Sequence, residues 1–316
     1  MNTTLAASPD IKDTFKIVGI GEVLWDLLPA GKQLGGAPAN FVCHARALGA
    51  DARLISRVGD DTDGREIIER FQARGLPTDT LEIDPSAPTG TVSVTVDAQG
   101  HPQYLIHENV AWDRIAADEV ALEAVRNADA VCFGSLAQRT PHVVQTVATL
   151  LAATRPDALR IFDINLRPPF ILPDVITSSL TAANGLKLNE QELPVLAELF
   201  QLTGSPAEQI AALAQRFSLR LIALTRGGDG SMLWADGQLV EQSGTPITVR
   251  DTVGAGDSFT TAVTVGFLHR WPLAQISQHA NAVAAYVCSQ AGATPPLPAT
   301  LLQPFQVPLR KDAVTC

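Results

Sequence analysis

The chain has 316 residues, of which 46% are hydrophobic and 5% aromatic, and a formal net charge of -10 at pH 7. Such a length allows one large α/β core with an appendage. The acidic balance argues against a nucleic-acid partner, because binding a phosphate backbone needs a basic surface. No stretch has the apolar length of a membrane span, and the first residues lack a basic start followed by an apolar run. We therefore expect a cytoplasmic protein with no membrane partner.

Apolar runs typical of strands alternate along the chain with longer segments of helical periodicity. This alternation predicts an α/β fold with a doubly wound, mostly parallel sheet, helices on both faces and sites at the carboxyl ends of the strands. Residues 1–14 are expected to be a loose N-terminus, and residues 15–310 a single domain. The predicted strands are 15–21, 52–59, 129–136, 159–166, 185–189 and 219–227, and the predicted helices are 38–48, 63–73, 141–153, 255–270 and 273–290.

Two segments interrupt this rhythm. Residues 89–108 alternate polar and apolar side chains around Gly100, which predicts an antiparallel hairpin with one solvated face. With the chain after Glu22 it can form a small separate sheet, a lid with strands from about 23–34 and 89–112. The alternative is an edge hairpin of the main sheet with no role of its own.

The strongest chemical signal is the segment DTVGAGDSF, Asp251 to Phe259, just ahead of a predicted helix. Gly254 and Gly256 flank Ala255 and leave successive main-chain N–H groups free to converge, and the positive end of the helix adds to them. This is an anion hole made without lysine. Asp257 follows the last glycine, where its carboxylate can accept a proton during phosphoryl transfer. The alternative is that Asp257 only stabilises the first helical turn.

A second signal is the segment LGGAPANF. Gly35 and Gly36 allow close approach of a ligand, and Pro38 suits the first position of a helix. Asn40, one turn into that helix, offers both a donor and an acceptor. Asp26 leaves the preceding strand close to the glycine pair. Together these groups can bind the hydroxyls of a sugar, although each alone is compatible with turn chemistry.

GGAPAN at 35–40 together with DTVGAGD at 251–257 resembles the two signature regions of the ribokinase, or PfkB, family of carbohydrate kinases. Three further segments fall in the family's order. DINLR at 163–167 resembles its D-x-N-x-R segment, NEQE at 189–192 its N-x-x-E magnesium motif, and TRGGDG at 225–230 its T-x-G-x-x-G nucleotide loop. The resemblance runs from about residue 15 to about residue 300.

This resemblance implies a ribokinase-like fold and an ATP-dependent sugar kinase in which Asp257 is the catalytic base and Gly254, Ala255 and Gly256 form the anion hole. Mg²⁺ and ATP are the implied cofactor and co-substrate, while a K⁺ requirement stays open. Asn189 and Glu192 are expected to act on Mg²⁺ through ordered water, since hard cations prefer such oxygens.

Further residues are assigned in the same way. Lys187 is placed to meet phosphate. The substrate-binding residues that the resemblance implies are Asp26, Gly35, Gly36, Asn40 and Arg167. The expected nucleotide-binding residues are Lys187, Asn189, Thr225, Gly227, Gly230 and Asn281.

GGAPAN with DINLRPPF most resembles fructokinases, so fructose is the first substrate to expect. The runner-up is 2-keto-3-deoxygluconate, whose carboxylate would need a cationic partner such as Arg139 or Arg167. Another sugar or nucleoside kinase of the family is a further alternative. The lid edge is expected to pair two subunits into a homodimer.

Two alternatives come from other classes of function. An NAD-dependent oxidoreductase is suggested by Gly19 and Gly21 after a strand, but Leu24 stands where the third glycine belongs. A catalytically silent sugar-binding protein would need neither Asp257 nor the magnesium motif.

Overall fold

The computed structural model describes residues 14–29, 31–96 and 102–306. The expected loose N-terminus, apart from residue 14, the Gly100 turn and the last four residues of the expected domain lie outside the described residues. The strands are β1 (Lys16–Ile20), β2 (Leu24–Leu28), β3 (Gly31–Gly35), β4 (Asp51–Gly59), β5 (Leu81–Asp84), β6 (Gly90–Val96), β7 (Pro102–Ile106), β8 (Ala130–Gly134), β9 (Leu159–Asp163), β10 (Gly185–Asn189), β11 (Leu221–Thr225), β12 (Ser231–Ala235) and β13 (Gln238–Gln242).

Helices follow most of the strands of the main sheet, and short 3-10 turns lie at 111–114, 136–139 and 227–229. None of the helices in the described ranges is both long and apolar enough to cross a membrane. The α-helices are α1 (Ala37–Ala47), α2 (Thr62–Ala73), α3 (Glu119–Arg126), α4 (Pro141–Ala152), α5 (Pro173–Ala182), α6 (Glu192–Phe200), α7 (Pro206–Phe217), α8 (Ala255–Leu268), α9 (Leu273–Cys288) and α10 (Ala299–Gln306).

The main sheet has nine strands in the order β13-β12-β11-β10-β9-β8-β1-β4-β5. All neighbours from β5 to β11 are parallel, whereas β12 and β13 extend the sheet as an antiparallel edge. The chain runs outward from β1 in one direction through β4 and later in the other through β8. The doubly wound, mostly parallel sheet is thus confirmed, and its topological switch point lies between β1 and β8, where such sheets bind ligands.

The sheet buries a hydrophobic core on each face, because successive side chains of a strand point to opposite sides. In β1, Ile17 packs with the core on one face and Val18 with the core on the other. The first core includes Phe41 of α1 and Phe259 of α8, and the second includes side chains of α3 to α7 such as Leu150. Helices α1 and α8 therefore lie side by side on one face, with their N-termini at the same edge.

The lid is a separate four-stranded sheet with the order β3-β2-β6-β7. β2 and β3 are antiparallel, as are β6 and β7, while β2 and β6 run parallel. The hairpin expected from residues 89–108 is confirmed, and the alternative that places it on the edge of the main sheet is wrong. Both sheets begin from the same stretch of chain, since β2 starts four residues after the end of β1.

Side chains of α2 hold the base of the lid. Trp25 of β2 lies between Lys32 of β3 and Arg70 of α2, whose charged groups are 4.4 and 4.7 Å from its ring centre. Its indole N–H donates to the carbonyl oxygen of Asp63 at 3.1 Å, and the Lys32 ammonium pairs with Glu66 at 2.6 Å. β2 and β3 are therefore fixed to α2 of the main domain.

Arg139 holds the other end of the lid. It follows β8, is buried, and pairs with the buried Asp113 through Nε and Nη2 at 2.7 and 2.8 Å. Nη2 also donates to the carbonyl oxygen of His107, just after β7, at 2.7 Å. The guanidinium stacks 3.8 Å from the Trp112 ring centre. Arg139 was considered as the cation for a substrate carboxylate, but its carboxylate partner is Asp113 of the chain itself.

Replacing Arg139 with leucine should lower the free energy of unfolding by about 3–5 kcal/mol, because the Asp113 carboxylate would stay buried without its partner. Arg126→Leu is the matched control, since Arg126 pairs with the exposed Glu119 and such pairs contribute less than about 1 kcal/mol. Urea unfolding of both variants measures the difference. Equal losses would show that the buried pair does not hold the lid.

Candidate active site

The carboxyl ends of β1, β8 and β9 meet the N-terminus of α1 around a small cleft at the switch point. Its enclosed volume is about 10 Å³, room for about one water. The start of α8 lies at the same edge, because Asp257 in its first turn is hydrogen-bonded to Asn40 near the start of α1. The cleft is lined by Glu22, Ala37, Pro38, Phe41, Cys132, Phe133, Gly134, Ser135, Leu136, Asp163 and Asn165.

The start of α8 is built by a glycine turn. Gly254 has a φ of 78°, in the left-handed region that favours glycine, and a Cβ there would collide with the carbonyl oxygen of Ala293. No side chain caps the helix in the described structure. The first N–H groups of a helix have no partner within it. The turn therefore presents main-chain donors and a positive helix end to a ligand.

Asp257 lies in the first turn of α8 and is only partly exposed. Its Oδ2 accepts a hydrogen bond of 2.8 Å from Nδ2 of Asn40 on α1. Desolvation and the nearby Asp163 raise the pKa of Asp257 to about 6, against the lowering effects of Asn40, Lys187 and Arg167. The carboxyl is thus a stronger base than an exposed aspartate and is still ionised at neutral pH.

Lys187 lies below this turn. It is buried in β10, and its Nζ pairs with Oδ1 of Asp163 at 3.0 Å. A Cβ at Gly256 would lie 3.0 Å from Nζ, so the ammonium adjoins the anion hole. Burial by itself would lower the pKa of Lys187, but Asp163, Glu192 and Asp257 outweigh it and raise that pKa above its usual value. The group therefore stays charged where phosphate is expected.

Asp163 is a residue that the sequence analysis did not assign. Its Oδ2 accepts a hydrogen bond of 3.0 Å from Oγ1 of Thr260 on α8, while its Oδ1 accepts from Lys187. It therefore ties β9, β10 and α8 together beneath Asp257. Its position as the first residue of the DINLR segment, at a strand end, was the signal that could have identified it.

The residues expected to bind sugar come together between α1 and the lid. Asn40 is buried, and its Oδ1 has no hydrogen-bond partner among the described residues. Asp26 of β2 lies directly against Gly35, where a Cβ would collide with its carboxylate. Desolvation raises the pKa of Asp26 to about 6, with Arg167 opposing and Asp251 adding to the shift. An acceptor without a partner on Asn40 and a desolvated carboxyl on Asp26 suit a ligand rich in hydroxyls.

Arg167 is an exposed cation at the rim of this site. Its charge lowers the pKa values of Glu22, Asp26 and Asp257, although in each case desolvation has the larger, opposite effect. Its Nη1 donates to the carbonyl oxygen of Leu166 at 3.1 Å. One guanidinium therefore faces three carboxyls across the expected sugar site.

The two residues expected at Mg²⁺ are bound to the main chain. Oδ1 of Asn189 accepts from the N–H groups of Gln191 and Glu192 at 2.9 Å each. The buried Glu192 accepts from Leu166 at 2.9 Å and from Asn189 at 2.8 Å through its two oxygens. Desolvation raises the pKa of Glu192, with Lys187 opposing. This arrangement fits a role through ordered water, because the oxygens are already held by donors.

The other residues expected at the nucleotide lie at the end of β11, in the loop between β11 and β12, and on α9. Gly227 and Gly230 have φ values of 53° and 94° in the loop after Thr225. Asn281 of α9 donates from Nδ2 to Oγ of Ser231 at 2.7 Å and to the carbonyl oxygen of Ser277 at 2.8 Å. Its Oδ1 is the atom left to accept from a ligand. Across the residues that the structure describes, no cluster of three acidic, histidine or cysteine side chains could hold a metal.

The segment after Gly21 continues into β2, and α1 begins only at Ala37. A dinucleotide fingerprint needs a helix directly after the glycine turn. The oxidoreductase alternative therefore lacks its structural context.

Comparison with known proteins places these residues in a family. The model of the pfkB family carbohydrate kinase matches residues 30–300. A fructokinase of Klebsiella pneumoniae is 29% identical over 262 residues, covering 79% of this chain and 84% of that protein.

Two solved structures share the fold. A sugar kinase from Pyrococcus horikoshii in complex with ATP is 28% identical, with a TM-score of 0.76, and covers 88% of this chain and 94% of its own. A fructokinase from Vibrio cholerae O395, bound to fructose, ADP and calcium ion, has a TM-score of 0.78 at 22% identity, and the match covers 92% of this chain and 99% of that one.

Asp257→Asn should stabilise the fold at alkaline pH. The folded-state pKa of about 6 exceeds the 3.8 of an exposed aspartate, so ionisation weakens the fold as the pH rises through this window. Below pH 3.8 the carboxyl is protonated in both states, and the cost vanishes. The variant should gain up to about 3 kcal/mol at pH 8, and the gain should shrink toward pH 4. Urea unfolding across this pH range measures it.

The control is Asp236→Asn, which changes an exposed aspartate in a turn and should shift stability by less than about 0.5 kcal/mol. A gain for Asp257→Asn that does not depend on pH would contradict the desolvation of this carboxyl.

Proposed function

The chain belongs to the PfkB family of carbohydrate kinases, and on this premise we propose that it transfers the γ-phosphoryl group of ATP to a hydroxyl of fructose. One observation carries the proposal: the desolvated carboxyl of Asp257 stands in the first turn of α8, between Asn40 on one side and Lys187 on the other. A proton acceptor, a sugar-side amide and a phosphate-side cation thus meet at one helix N-terminus.

Asp257 acts as the general base. Its carboxylate accepts the proton of the sugar hydroxyl as that oxygen forms a bond to the γ-phosphorus and the bond to the β,γ-bridging oxygen breaks, which leaves ADP. The loose transition state asks for positioning and charge more than for a strong base. A pKa of about 6 leaves Asp257 ionised and ready at neutral pH.

The main-chain N–H groups of Gly254, Ala255 and Gly256 form the anion hole for the phosphoryl oxygens in transit. Lys187 adds a fixed positive charge beneath them, and Asp163 and Thr260 hold the local geometry. Such preorganised donors supply a large part of the rate enhancement in reactions of this kind. An acidic chain can hold ATP in this way without a basic surface.

The two substrates occupy opposite sides of Asp257. Asn189 and Glu192 would hold Mg²⁺ through ordered water, and the ion would supply positive charge to the phosphate oxygens of ATP. The sugar is bound by Asp26, Gly35, Gly36, Asn40 and Arg167. The nucleotide is bound by Lys187, Asn189, Thr225, Gly227, Gly230 and Asn281.

The pairing of Arg139 with Asp113 favours fructose over 2-keto-3-deoxygluconate as the substrate. A sugar acid needs an unpaired cation, but Arg139 is neutralised by Asp113 and covered by Trp112. Arg167 is then the remaining candidate to bind the carboxylate of a sugar acid. Its charge already interacts with the carboxyls of Glu22, Asp26 and Asp257. A neutral sugar meets no such competition.

The lid closes over the sugar and excludes water from the transferred group. Its outer strands β3 and β7 leave edges on which a second subunit can pair, which supports a homodimer through the lid. We place the protein in the cytoplasm, with residues 15–310 as a single catalytic domain and no nucleic-acid or membrane partner.

Asp257→Asn should slow ADP release with fructose by about 10²- to 10⁴-fold, the usual contribution of a general base, with little change in fructose affinity. A coupled assay with Mg-ATP measures it. The wild-type rate should rise with pH through about 6, because the base must be ionised, and this step should be absent from the variant. Asp236→Asn is the control at full rate.

A substrate panel separates the alternatives. Fructose should give the highest kcat/KM, ahead of ribose, 2-keto-3-deoxygluconate and nucleosides. Faster turnover of the sugar acid would contradict the argument from Arg139, and wild-type turnover by Asp257→Asn would contradict the assigned base. Sugar binding without any ADP release would favour a silent sugar-binding protein.

A further inference from the structure

Glu22 is a carboxyl at the cleft that the mechanism above does not use. It lies between the end of β1 and the start of β2, at the topological switch point, and is 3% exposed. Its Oε2 has no hydrogen-bond partner among the described residues. Glu22 is one of the residues that line the cleft, so a space for one water-sized polar group, such as a hydroxyl, adjoins its side chain. A buried acceptor without a partner calls for an explanation.

Other buried carboxyls around the site differ in this respect. Asp163 accepts hydrogen bonds through both oxygens, from Lys187 and Thr260. Glu192 also accepts through both, from the main chain of Leu166 and Asn189. Their partners explain their burial completely. Glu22 is left with one oxygen that the chain does not satisfy.

A purely structural role accounts for only part of Glu22. The main-chain N–H groups of Glu22 itself and of Ala37, the first residue of α1, stabilise its carboxylate. Gly36 supplies no capping side chain, so Glu22 substitutes for one at this helix start. This contact fixes the side chain in place. It leaves Oε2 without a hydrogen-bond partner among the described residues.

The charge around Glu22 narrows the class of partner. Desolvation raises the pKa of Glu22 to about 7, with Asp257 adding to the shift and the amides and Arg167 opposing it. Lys187, the buried cation of the site, is already paired with Asp163 and is not the partner of Glu22. A hydroxyl can donate to the ionised carboxyl and accept from the protonated one, so it fits either state without adding charge.

We propose that Glu22 is a specificity-determining residue whose Oε2 hydrogen-bonds a hydroxyl of the acceptor sugar other than the one phosphorylated. The inference rests on the proposed sugar kinase function. Asp257 then takes the proton of the reacting hydroxyl, whereas Glu22, like Asp26, binds the sugar without reacting with it and selects sugars that carry a second hydroxyl at the switch point. Sugars without that hydroxyl leave Oε2 buried and unpaired, and are discriminated against.

The test combines enzyme variants with substrate analogues. Glu22→Ala and Glu22→Gln are assayed with Mg-ATP against fructose, its monodeoxy analogues and 2,5-anhydromannitol. Glu22→Ala should lower kcat/KM for fructose by about 10- to 100-fold. For the one analogue that lacks the bonded hydroxyl, wild type and Glu22→Ala should be nearly equal. Glu22→Gln keeps the shape and should lose less on fructose.

The matched control is Glu82→Ala. Glu82 accepts from the main-chain N–H of Ala116 at 2.9 Å and lies on β5, away from the cleft lining. Its removal should leave kcat/KM for every sugar unchanged. Thermal unfolding without ligand identifies any misfolded variant, and Glu22→Gln then carries the comparison.

The outcomes separate this inference from the function it rests on. A uniform loss across all analogues, or no loss on fructose, overturns the role of Glu22 while leaving the kinase in place. If wild type phosphorylates no sugar, the proposed function is wrong. Calorimetry of fructose and its analogues binding to wild type and Glu22→Ala then still decides whether Oε2 recognises a hydroxyl, because it needs no turnover.

Discussion

The site depends on one electrostatic arrangement: a carboxyl withdrawn from water at the positive start of α8 and held there by an amide from α1. The Asn40–Asp257 hydrogen bond joins two helices that are far apart in sequence but lie side by side on one face of the sheet. Desolvation makes Asp257 more basic, and the helix start, Asn40 and Lys187 keep it ionised. The neighbouring residues are assigned roles that keep the balance between desolvation, which raises the pKa of Asp257, and the groups that lower it.

The balance is maintained with few cations. Glu22, Asp26 and Asp257 all have raised pKa values, and Arg167 opposes each shift from the rim. Arg139, a buried arginine near the lid, is neutralised by Asp113. In the proposed mechanism, main-chain donors and one buried lysine hold the anionic phosphate, and the rest of the site binds neutral hydroxyls. A strongly acidic protein can thus bind both a phosphate donor and a neutral sugar.

Much of this could be predicted from sequence, because periodicity and glycine motifs are local signals. The parallel strands other than β5, the helices α8 and α9 and the hairpin were predicted, and Asn40 of one glycine-rich segment meets Asp257 of the other. The short elements β5, β12, β13 and α10 were missed, because four to eight residues give a weak periodic signal. Asp163 was overlooked although it opens the DINLR segment, and Glu22 was missed because a single carboxyl has no pattern; only the fold shows that one oxygen of Glu22 lacks a partner. Arg139 could not be assigned, since its partner Asp113 is distant in sequence.

The most direct test of the central claim is a titration of the Asp257 carboxyl itself. Carbon-13 labelling of aspartate side chains, with Asp257→Asn used to assign the resonance, reports its pKa by NMR in the unliganded protein. The account predicts a value of about 6. A value near 3.8, that of an exposed aspartate, would show that the carboxyl is fully solvated and would contradict it.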